Sequence, residues 1–198
     1  MKIIHFAPLV EGFLDEYFIK QVLKGVAFSF DSDFTFNRYE KLLNLKGGSK
    51  NKAKVLSNLG NLSQQIALES RRSEIPILFI AGIDSDKEDF NILVSKLESQ
   101  IDNLAKEITL IFVAVQDVET WAEYLLKPDS KPVELDKGSS KMRIYPDGKS
   151  NEENAKTIIK EIREKNGFQM NSLLTLASQS PSYQHFHQQI LSYLQKIS

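Results

Sequence analysis

Strand-like runs alternate with stretches of helical periodicity along this chain, and the alternation restricts its fold more than any other feature. The strand-like runs cover residues 3–10, 33–38, 76–81 and 108–115. Three of them are apolar almost throughout, which is typical of strands buried on both faces of a sheet. Strands that alternate with helices predict a parallel sheet with helices on both faces. We therefore expect an α/β fold whose sheet has about four strands.

The helical stretches and one irregular segment divide the chain into three parts. Apolar residues recur at helical spacing over 13–26, 52–70 and 87–106, around Trp121, and over 151–165, 169–178 and 181–196. A chain of 198 residues is long enough for one buried core and too short for two ordinary domains. We expect an α/β core over 1–126, an irregular loop over 127–151 with a short strand at Met142–Tyr145, and a helical extension over 152–198 packed on the same domain.

Composition excludes several classes of function. The formal net charge is −1, so no global field recruits nucleic acid, and phosphate binding would have to come from local basic groups or a metal ion. Cysteine is absent, which excludes disulfides, zinc–thiolate sites and thiol catalysis. The N-terminal segment has no signal-peptide cleavage site, and no apolar stretch has the length of a membrane span. We therefore expect a cytoplasmic protein without a membrane partner.

Acidic residues stand at the ends of the first and third strand-like runs, where helical patterns begin. Glu11 follows the first run, and Asp84 and Asp86 follow the third. The carboxyl ends of parallel strands meet at one edge of a sheet, where ligands bind in such folds. Carboxylates gathered there repel one another unless a cation lies between them, and Mg²⁺ suits a few carboxylates with retained waters. The pattern predicts a site for Mg²⁺ or Mn²⁺, with Gly12 and Gly82 allowing close approach of the backbone.

Each acidic group also has a simpler structural interpretation. Glu11 alone suits a solvated turn at a helix N-terminus, and Asp86 suits the cap of the following helix. Asp117 and Glu119 follow the fourth run. Either they add a further carboxylate to the same edge, or Glu119 only caps or decorates the next helix, and both alternatives remain open. The combination of acids after two different strands is what favours a metal site.

Basic residues flank the region between the second and third runs. Lys50, Lys52 and Lys54 follow a glycine-rich stretch, and Arg71 and Arg72 precede the third run. These groups would hold a phosphodiester backbone, whose charge the acidic edge would otherwise repel. Alternatively the lysines only solubilise a loop, and the two arginines suit the C-terminus of a helix.

Other common catalytic patterns are absent from the sequence. Gly47 and Gly48 do not belong to a P-loop, because the first glycine at the required spacing is missing. His185 and His187 lie two residues apart on a helical pattern, so they face different sides and make a poor metal pair. We expect both histidines on the surface, with Phe186 in the core.

The acidic segments resemble a known domain. Residues 11–18 read Glu-Gly-Phe-Leu-Asp-Glu-Tyr-Phe, and residues 84–86 read Asp-Ser-Asp. A strand-end Glu-Gly followed by a strand-end Asp-X-Asp resembles the Toprim domain shared by topoisomerases, bacterial primases, OLD-type nucleases and ribonucleases that mature small RNAs. The first segment is more similar still to the Glu-Gly-X-X-Glu-Glu-X-Phe motif of small standalone Toprim-like proteins of bacteria, with Asp15 in place of the first paired glutamate.

Two later segments are similar to the same standalone proteins. Residues 115–121 read Val-Gln-Asp-Val-Glu-Thr-Trp and resemble their Glu-Ala-Trp motif, with Thr120 in place of alanine. Residues 180–183 read Ser-Pro-Ser-Tyr, followed by Phe186 and Leu191, and resemble their tail motif. The resemblance therefore extends over most of the chain through short motifs.

The resemblance implies a fold, roles for the acids and a biological context. It implies a Toprim-like, Rossmann-type sheet, with Glu11 as a general acid/base or metal ligand and Asp84 and Asp86 as metal ligands. Asp15 lies in the same motif and is a further candidate acid. Many family members are linked to phage defence or mobile elements. This chain departs from the pattern in lacking a glycine soon after Asp86 and a recognisable ATPase domain, so a partner ATPase or other partner protein remains open.

These observations lead to three hypotheses of function. The first is metal-dependent cleavage of phosphodiesters, or phosphoryl transfer, on DNA or RNA, with water as the nucleophile. The second is a Toprim-like module that binds a partner protein, nucleic acid or a nucleotide and performs no chemistry. The third is a phosphoacceptor receiver-like domain, which needs an acidic pair after the first strand and a lone aspartate after the third. Glu11-Gly12 and Asp84-Ser85-Asp86 fit that pattern badly.

Overall fold

The described strands form one parallel sheet. A computed structural model describes residues 2–30, 33–41, 51–86, 88–128, 143–145 and 149–198. The sheet has four strands in the order β2-β1-β3-β4, and all neighbouring pairs are parallel. The strands are β1 (Lys2–Leu9), β2 (Phe34–Arg38), β3 (Ile77–Asp84) and β4 (Thr109–Ala114). The predicted α/β class, with a Rossmann-like parallel sheet, is confirmed.

Helices connect the strands and continue beyond the last one. They are α1 (Phe13–Ala27), α2 (Lys52–Arg72), α3 (Phe90–Gln100), α4 (Val118–Leu126), α5 (Glu152–Glu164), α6 (Met170–Gln179) and α7 (Pro181–Ile197). Asparagine or aspartate caps several of their N-termini, as at Asn51 of α2, whose side chain accepts a hydrogen bond from the Lys54 amide. Among the helices described, none combines the length and the apolar character that crossing a bilayer requires.

Two hydrophobic cores lie on opposite faces of the sheet, because alternate residues of each strand point to opposite sides. On one face, Phe6 of β1 and Phe112 of β4 pack with residues of α1, α4, α5, α6 and α7. On the other face, Phe79 of β3 and Val113 of β4 pack with residues of α2 and α3. The molecule therefore has three layers, and the helices after residue 150 share a core with the sheet.

Helix α7 also covers the outer edge of the sheet. β4 is an edge strand, and the amide group of Gln189 pairs with its backbone at Ile111. The Ile111 amide donates to Gln189 Oε1 at 2.8 Å, and Gln189 Nε2 donates to the Ile111 carbonyl at 2.9 Å. These bonds satisfy backbone groups that would otherwise offer the edge to another chain.

Three local predictions differ from the structure. The helix predicted over 87–106 is α3, which Asp89 caps and which ends at Gln100, because the Asp102 amide donates to Ser63 Oγ at 3.0 Å instead of continuing the helix. The strand predicted at 142–145 is absent among the residues described there: residues 143 and 144 are helical and Tyr145 lies in a bend, while Met142 is outside the described residues. His187 is 2% exposed rather than on the surface.

Most of the loop predicted over 127–151 lies outside the described residues. One described part of it, residues 143–145, contacts two acidic side chains of α4. Arg143 forms an ion pair with Glu123, and Tyr145 packs in the core with its hydroxyl on Glu119. These contacts hold residues 143–145 next to the carboxyl edge of the sheet.

A candidate acidic site at the carboxyl edge of the sheet

The predicted acids lie at the carboxyl ends of the two central strands, β1 and β3, where the order of the strands in the sheet changes direction. From β1 the chain moves outward to β2, and then crosses to β3 on the other side of β1. β1 leads into α1 on one face, while β3 is followed by α3 on the other. A crevice at such a switch point is the usual ligand site of an open α/β sheet. Glu11 and Asp84 both lie there.

Glu11 is held against the end of β3. Its Oε1 atom accepts a hydrogen bond from the Asp84 amide at 2.8 Å. Burial raises the pKa of Glu11, and the nearby Asp86 charge raises it further. The backbone amides of Asp84 and Lys52 and the Lys52 charge act in the opposite direction. Glu11 therefore lies in a partly desolvated position whose orientation is fixed by the backbone of a neighbouring strand.

Asp84 is the half-buried last residue of β3. Its Oδ1 atom is buried and has no hydrogen-bond partner among the described residues. Burial raises the pKa of Asp84 well above its usual range, and Asp15, Glu119, Glu11 and Asp117 add to this in decreasing order. An unpaired buried carboxyl oxygen surrounded by other acids is costly, so the site favours either a bound proton or a bound cation.

Asp15 reaches the same crevice from the first turn of α1. Its side chain is 4% exposed, and its Oδ2 atom accepts a hydrogen bond from the Gly12 amide at 2.8 Å. Burial, followed by the neighbouring Glu119 and Glu11 charges, raises the pKa of Asp15 to about 8. The hydrogen bond also fixes the turn between β1 and α1. Asp15 is therefore a member of the cluster, as its place in the first motif suggested.

The two acids after β4 have different roles. Asp117 caps α4, because its Oδ1 atom accepts the Thr120 amide at 3.0 Å. Glu119 is 7% exposed and accepts a hydrogen bond from the Tyr145 hydroxyl at 3.1 Å. Glu119 therefore does more than decorate α4. It adds a carboxylate to the acidic edge, because it lies close enough to raise the pKa of both Asp15 and Asp84.

The side chain of Asp86 is exposed to solvent. Its backbone has a φ of 53°, and its side chain is 71% exposed. Lys52 Nζ lies 3.7 Å from Asp86 Oδ2 and 2.6 Å from Glu88 Oε1. Asp86 therefore contributes charge at the mouth of the crevice, and it does not share the buried position of Asp84.

The other basic candidates lie in different places. Lys52 is at the acidic edge, and Lys54 is exposed one turn into α2. Arg71 and Arg72 are exposed in the last turn of α2. Since α2 has 21 residues, they lie about 30 Å from its N-terminus, at the opposite edge of the sheet. Lys50 lies outside the described residues.

Two neighbours of the acids were not identified from the sequence. Ser85 is 2% exposed, and its Oγ atom accepts the Gln116 amide at 3.0 Å, which joins the loops after β3 and β4. Tyr145 is buried and holds Glu119. A serine between two aspartates and a tyrosine in an irregular segment carry no periodic signal, so only their contacts reveal them.

Gly82 has a packing role that the sequence did not indicate. A Cβ atom at Gly82 would lie 2.5 Å from Phe112 Cδ1, so glycine is required by packing against β4. At Gly12 a Cβ atom would meet only Asp15 Oδ2, at 3.7 Å, which is ordinary contact.

The acidic side chains of the edge fit a divalent cation by their chemistry but not by their arrangement. The donors are carboxylates, which Mg²⁺ and Mn²⁺ prefer, and Asp84 Oδ1 is buried without a partner among the described residues. Within the described part of the chain, however, no three acidic or histidine side chains converge as a ready metal-binding group. The chemistry of the cluster thus fits a hard cation, while its side chains are not yet gathered around one point.

Comparisons with models of known protein families, with curated proteins and with solved structures found no match to this chain.

Proposed function

We propose that this protein is a Mg²⁺- or Mn²⁺-dependent enzyme that cleaves phosphodiesters of nucleic acid, or transfers phosphoryl groups on it. The observation that carries the proposal is the buried Oδ1 atom of Asp84, which has no partner in the described part of the chain and lies among Glu11, Asp15 and Glu119. A cation would neutralise this repulsion, and it would also attract a phosphate to an edge that otherwise repels it. The short motifs shared with Toprim proteins support the same reaction.

Each acid would have a distinct role. Asp84 would hold the cation from inside the crevice, and Asp86 would hold it from the exposed mouth through retained waters. Glu11 would be a further ligand or the base that accepts a proton from the attacking water. When bound, the cation polarises a phosphate oxygen and offsets its charge. A base works best when its pKa lies near the working pH, and burial raises the pKa of Glu11 in that direction.

The remaining acids would maintain the geometry of the site. Asp15 holds the turn after β1 through the Gly12 amide, and Tyr145 orients Glu119. With a pKa of about 8, Asp15 carries a proton at neutral pH in the metal-free protein. Binding of a cation nearby would release protons from such carboxyl groups. Lys52 balances negative charge at the mouth of the crevice through Asp86 and Glu88.

The test is cleavage of labelled single- and double-stranded DNA and RNA by the purified protein with Mg²⁺ or Mn²⁺. Glu11→Gln and Asp84→Asn are expected to lower the rate by about 100-fold or more, the typical contribution of a general acid or base. Glu98→Gln is the matched control, because Glu98 is an exposed acid on α3 outside the cluster. Cleavage that survives both cluster substitutions would rule out this mechanism.

The second candidate is a module that binds nucleic acid, a nucleotide or a partner protein without chemistry. It is favoured by the outward position of Asp86 and by the lack of three converging acids in the described residues. Calorimetric titration with Mn²⁺ separates the two candidates. Binding that is lost in Asp84→Asn supports the enzyme, whereas no binding by the wild-type protein supports the module.

The biological setting belongs to the same proposal. A cytoplasmic location, a role in phage defence or in mobile elements, and a partner ATPase or other partner protein would suit a nuclease of this kind. Co-purification of bound proteins from cells challenged with phage tests whether such a partner exists. A complex whose formation is independent of phage and of Asp84 would argue against the defence role.

A further inference from the structure

A groove of about 590 Å³ lies between the last turns of α1 and the turn that joins α5 to α6. One wall comes from residues at helical spacing on α1, and the other from residues 163–171. The volume is in the range of ligand-binding clefts. The groove is separate from the acidic site, because Glu11 precedes the first residue of α1, whereas the groove residues of this helix, Gln21 to Phe28, lie about 12–22 Å along it.

Basic side chains line the groove, and none of the described residues that line it is acidic. Lys24 is on one wall and Arg163 on the other, and Lys20 lies one helical turn before Lys24. None of the three has an ion-pair partner among the described residues. Partial burial lowers the pKa of Lys24, and the like charges of Lys20 and Arg163 lower it further. Three cations that repel one another across a cleft would be stabilised by an anionic ligand.

An aromatic ring stands at the end of the same groove. Phe28 is 92% exposed, more than any other large apolar side chain in the described residues. Leaving such a side chain in water forgoes about 1.5–3 kcal/mol of burial. A flat, exposed ring beside cations is the combination by which proteins stack nucleobases while they hold the phosphates.

The walls of the groove are held together by close packing. A methyl group at Gly25 would overlap the carbonyl oxygen of Phe168 and would lie 2.8 Å from Leu173 Cδ1. Helix α1 therefore contacts the α5–α6 turn directly beneath the groove. The two walls are preformed, so little ordering is needed when a ligand binds.

We propose that this groove binds single-stranded nucleic acid, with phosphates on Lys20, Lys24 and Arg163 and a base stacked on Phe28. The spread of the cations favours a strand over a free nucleotide. Lys20 and Lys24 are about 6 Å apart along the helix, and Arg163 is on the opposite wall, so together they suit several phosphates in a row. The proposal goes beyond the cleavage reaction, because it holds whether or not the acidic edge is catalytic.

The experiment measures binding of a fluorescently labelled oligo(dT) by anisotropy, in EDTA so that metal-dependent binding at the acidic edge is removed. Lys24→Glu combined with Arg163→Glu is expected to weaken binding at least about tenfold and to lower the salt slope by about 1.4, since each lost phosphate contact on a single strand removes about 0.7. Phe28→Ala is expected to weaken binding by about 5-fold or more.

The matched control is Lys96→Glu combined with Lys106→Glu, two exposed lysines distant from the groove that give the same change in net charge. Its effect is expected to stay within about twofold. Equal losses in both double variants, unchanged binding in Phe28→Ala, or no binding by the wild-type protein would each overturn the proposal. Displacement of the oligonucleotide by an equal concentration of dTMP would also overturn it, because a free nucleotide would then be the ligand.

Discussion

A single hydrogen bond of 2.8 Å joins the Glu11 carboxylate to the Asp84 amide, although 73 residues separate them along the chain. The bond connects the carboxyl ends of the two central strands at the point where the chain crosses the sheet. It places Glu11 beside Asp84, whose Oδ1 atom is buried among other acids, so changes at either residue should affect both the electrostatics and any bound cation.

Metal binding should stabilise the folded protein. A cation present at about 100 times its dissociation constant adds about 2.7 kcal/mol to the free energy of unfolding, because it binds only the folded state. We expect Mg²⁺ or Mn²⁺ to raise the Tm of the wild-type protein, and to leave that of Asp84→Asn unchanged. Differential scanning fluorimetry with and without EDTA measures this. Glu98→Gln should respond like the wild-type protein, and a shift retained in Asp84→Asn would place the cation elsewhere.

The metal-free protein should lose stability as pH rises. Burial and neighbouring acids raise the pKa of Asp15 from 3.8 to about 8, so the folded state holds this proton more tightly than the unfolded chain does. The resulting stability is complete below about pH 4 and is lost as pH rises through about 8, at up to about 1.4 kcal/mol per pH unit. Urea unfolding in EDTA at several pH values tests whether the free energy of unfolding falls as pH rises.

Asp15→Asn is the variant that isolates this effect. The amide has a similar shape and no charge to bury, so the fall in stability between pH 4 and pH 8 should become shallower. Asp33→Asn changes an exposed aspartate and should leave the wild-type pH profile unchanged. Identical profiles for Asp15→Asn and the wild-type protein would mean that Asp15 is not the source of the pH dependence of stability.

Replacing Gly82 should destabilise the sheet. An added Cβ atom would lie 2.5 Å from Phe112 Cδ1 and 2.8 Å from Phe112 Cβ, which forces the ring to move in a close-packed core. We expect Gly82→Ala to lower the free energy of unfolding by about 1–3 kcal/mol. Gly12→Ala, which meets only ordinary contact, should change it by about 0.5 kcal/mol or less. Denaturant unfolding of the two variants measures this difference. Equal stability of Gly82→Ala and the wild-type protein would mean that packing against Phe112 does not require glycine at position 82.

The hydroxyl of Tyr145 should contribute to stability through Glu119. Tyr145→Phe removes a buried hydrogen bond and is expected to cost about 1 kcal/mol. Tyr17→Phe, whose hydroxyl bonds the exposed Glu152, should cost less. A double-mutant cycle of Tyr145→Phe with Glu119→Gln should show coupling of about 0.5 kcal/mol or more. Additive effects would mean that the two side chains do not depend on each other.

The sequence predicted the strands well because burial on both faces leaves a strong signal. β4 lies within the apolar run predicted over 108–115, and β3 covers most of the run over 76–81 and continues three residues beyond it to Asp84. The predicted helix over 87–106 was too long, because apolar spacing continues past Gln100 while Ser63 binds the Asp102 amide from another helix. Contacts between distant segments do not appear in periodicity.

The candidate site was predicted in part. Glu11 and Asp84 were expected at one edge, and they are in contact there. Asp86 follows the same strand but faces solvent, because its positive φ turns the chain after Ser85. His187 was expected on the surface, yet it lies beside Tyr183, with its ring 5.7 Å away, since α7 packs on more than one side. The direction of a side chain after a turn depends on backbone angles that spacing does not determine.

By itself, the sequence determined the class of fold and the edge at which the acids gather, because buried parallel strands require continuous apolar residues and end at a common edge. Only the tertiary structure decided which acids share the crevice and which face water. Burial and mutual repulsion of Asp15, Asp84 and Glu119 arise from segments that are brought together by packing. The groove of Lys24, Arg163 and Phe28 likewise exists only because two distant helices meet.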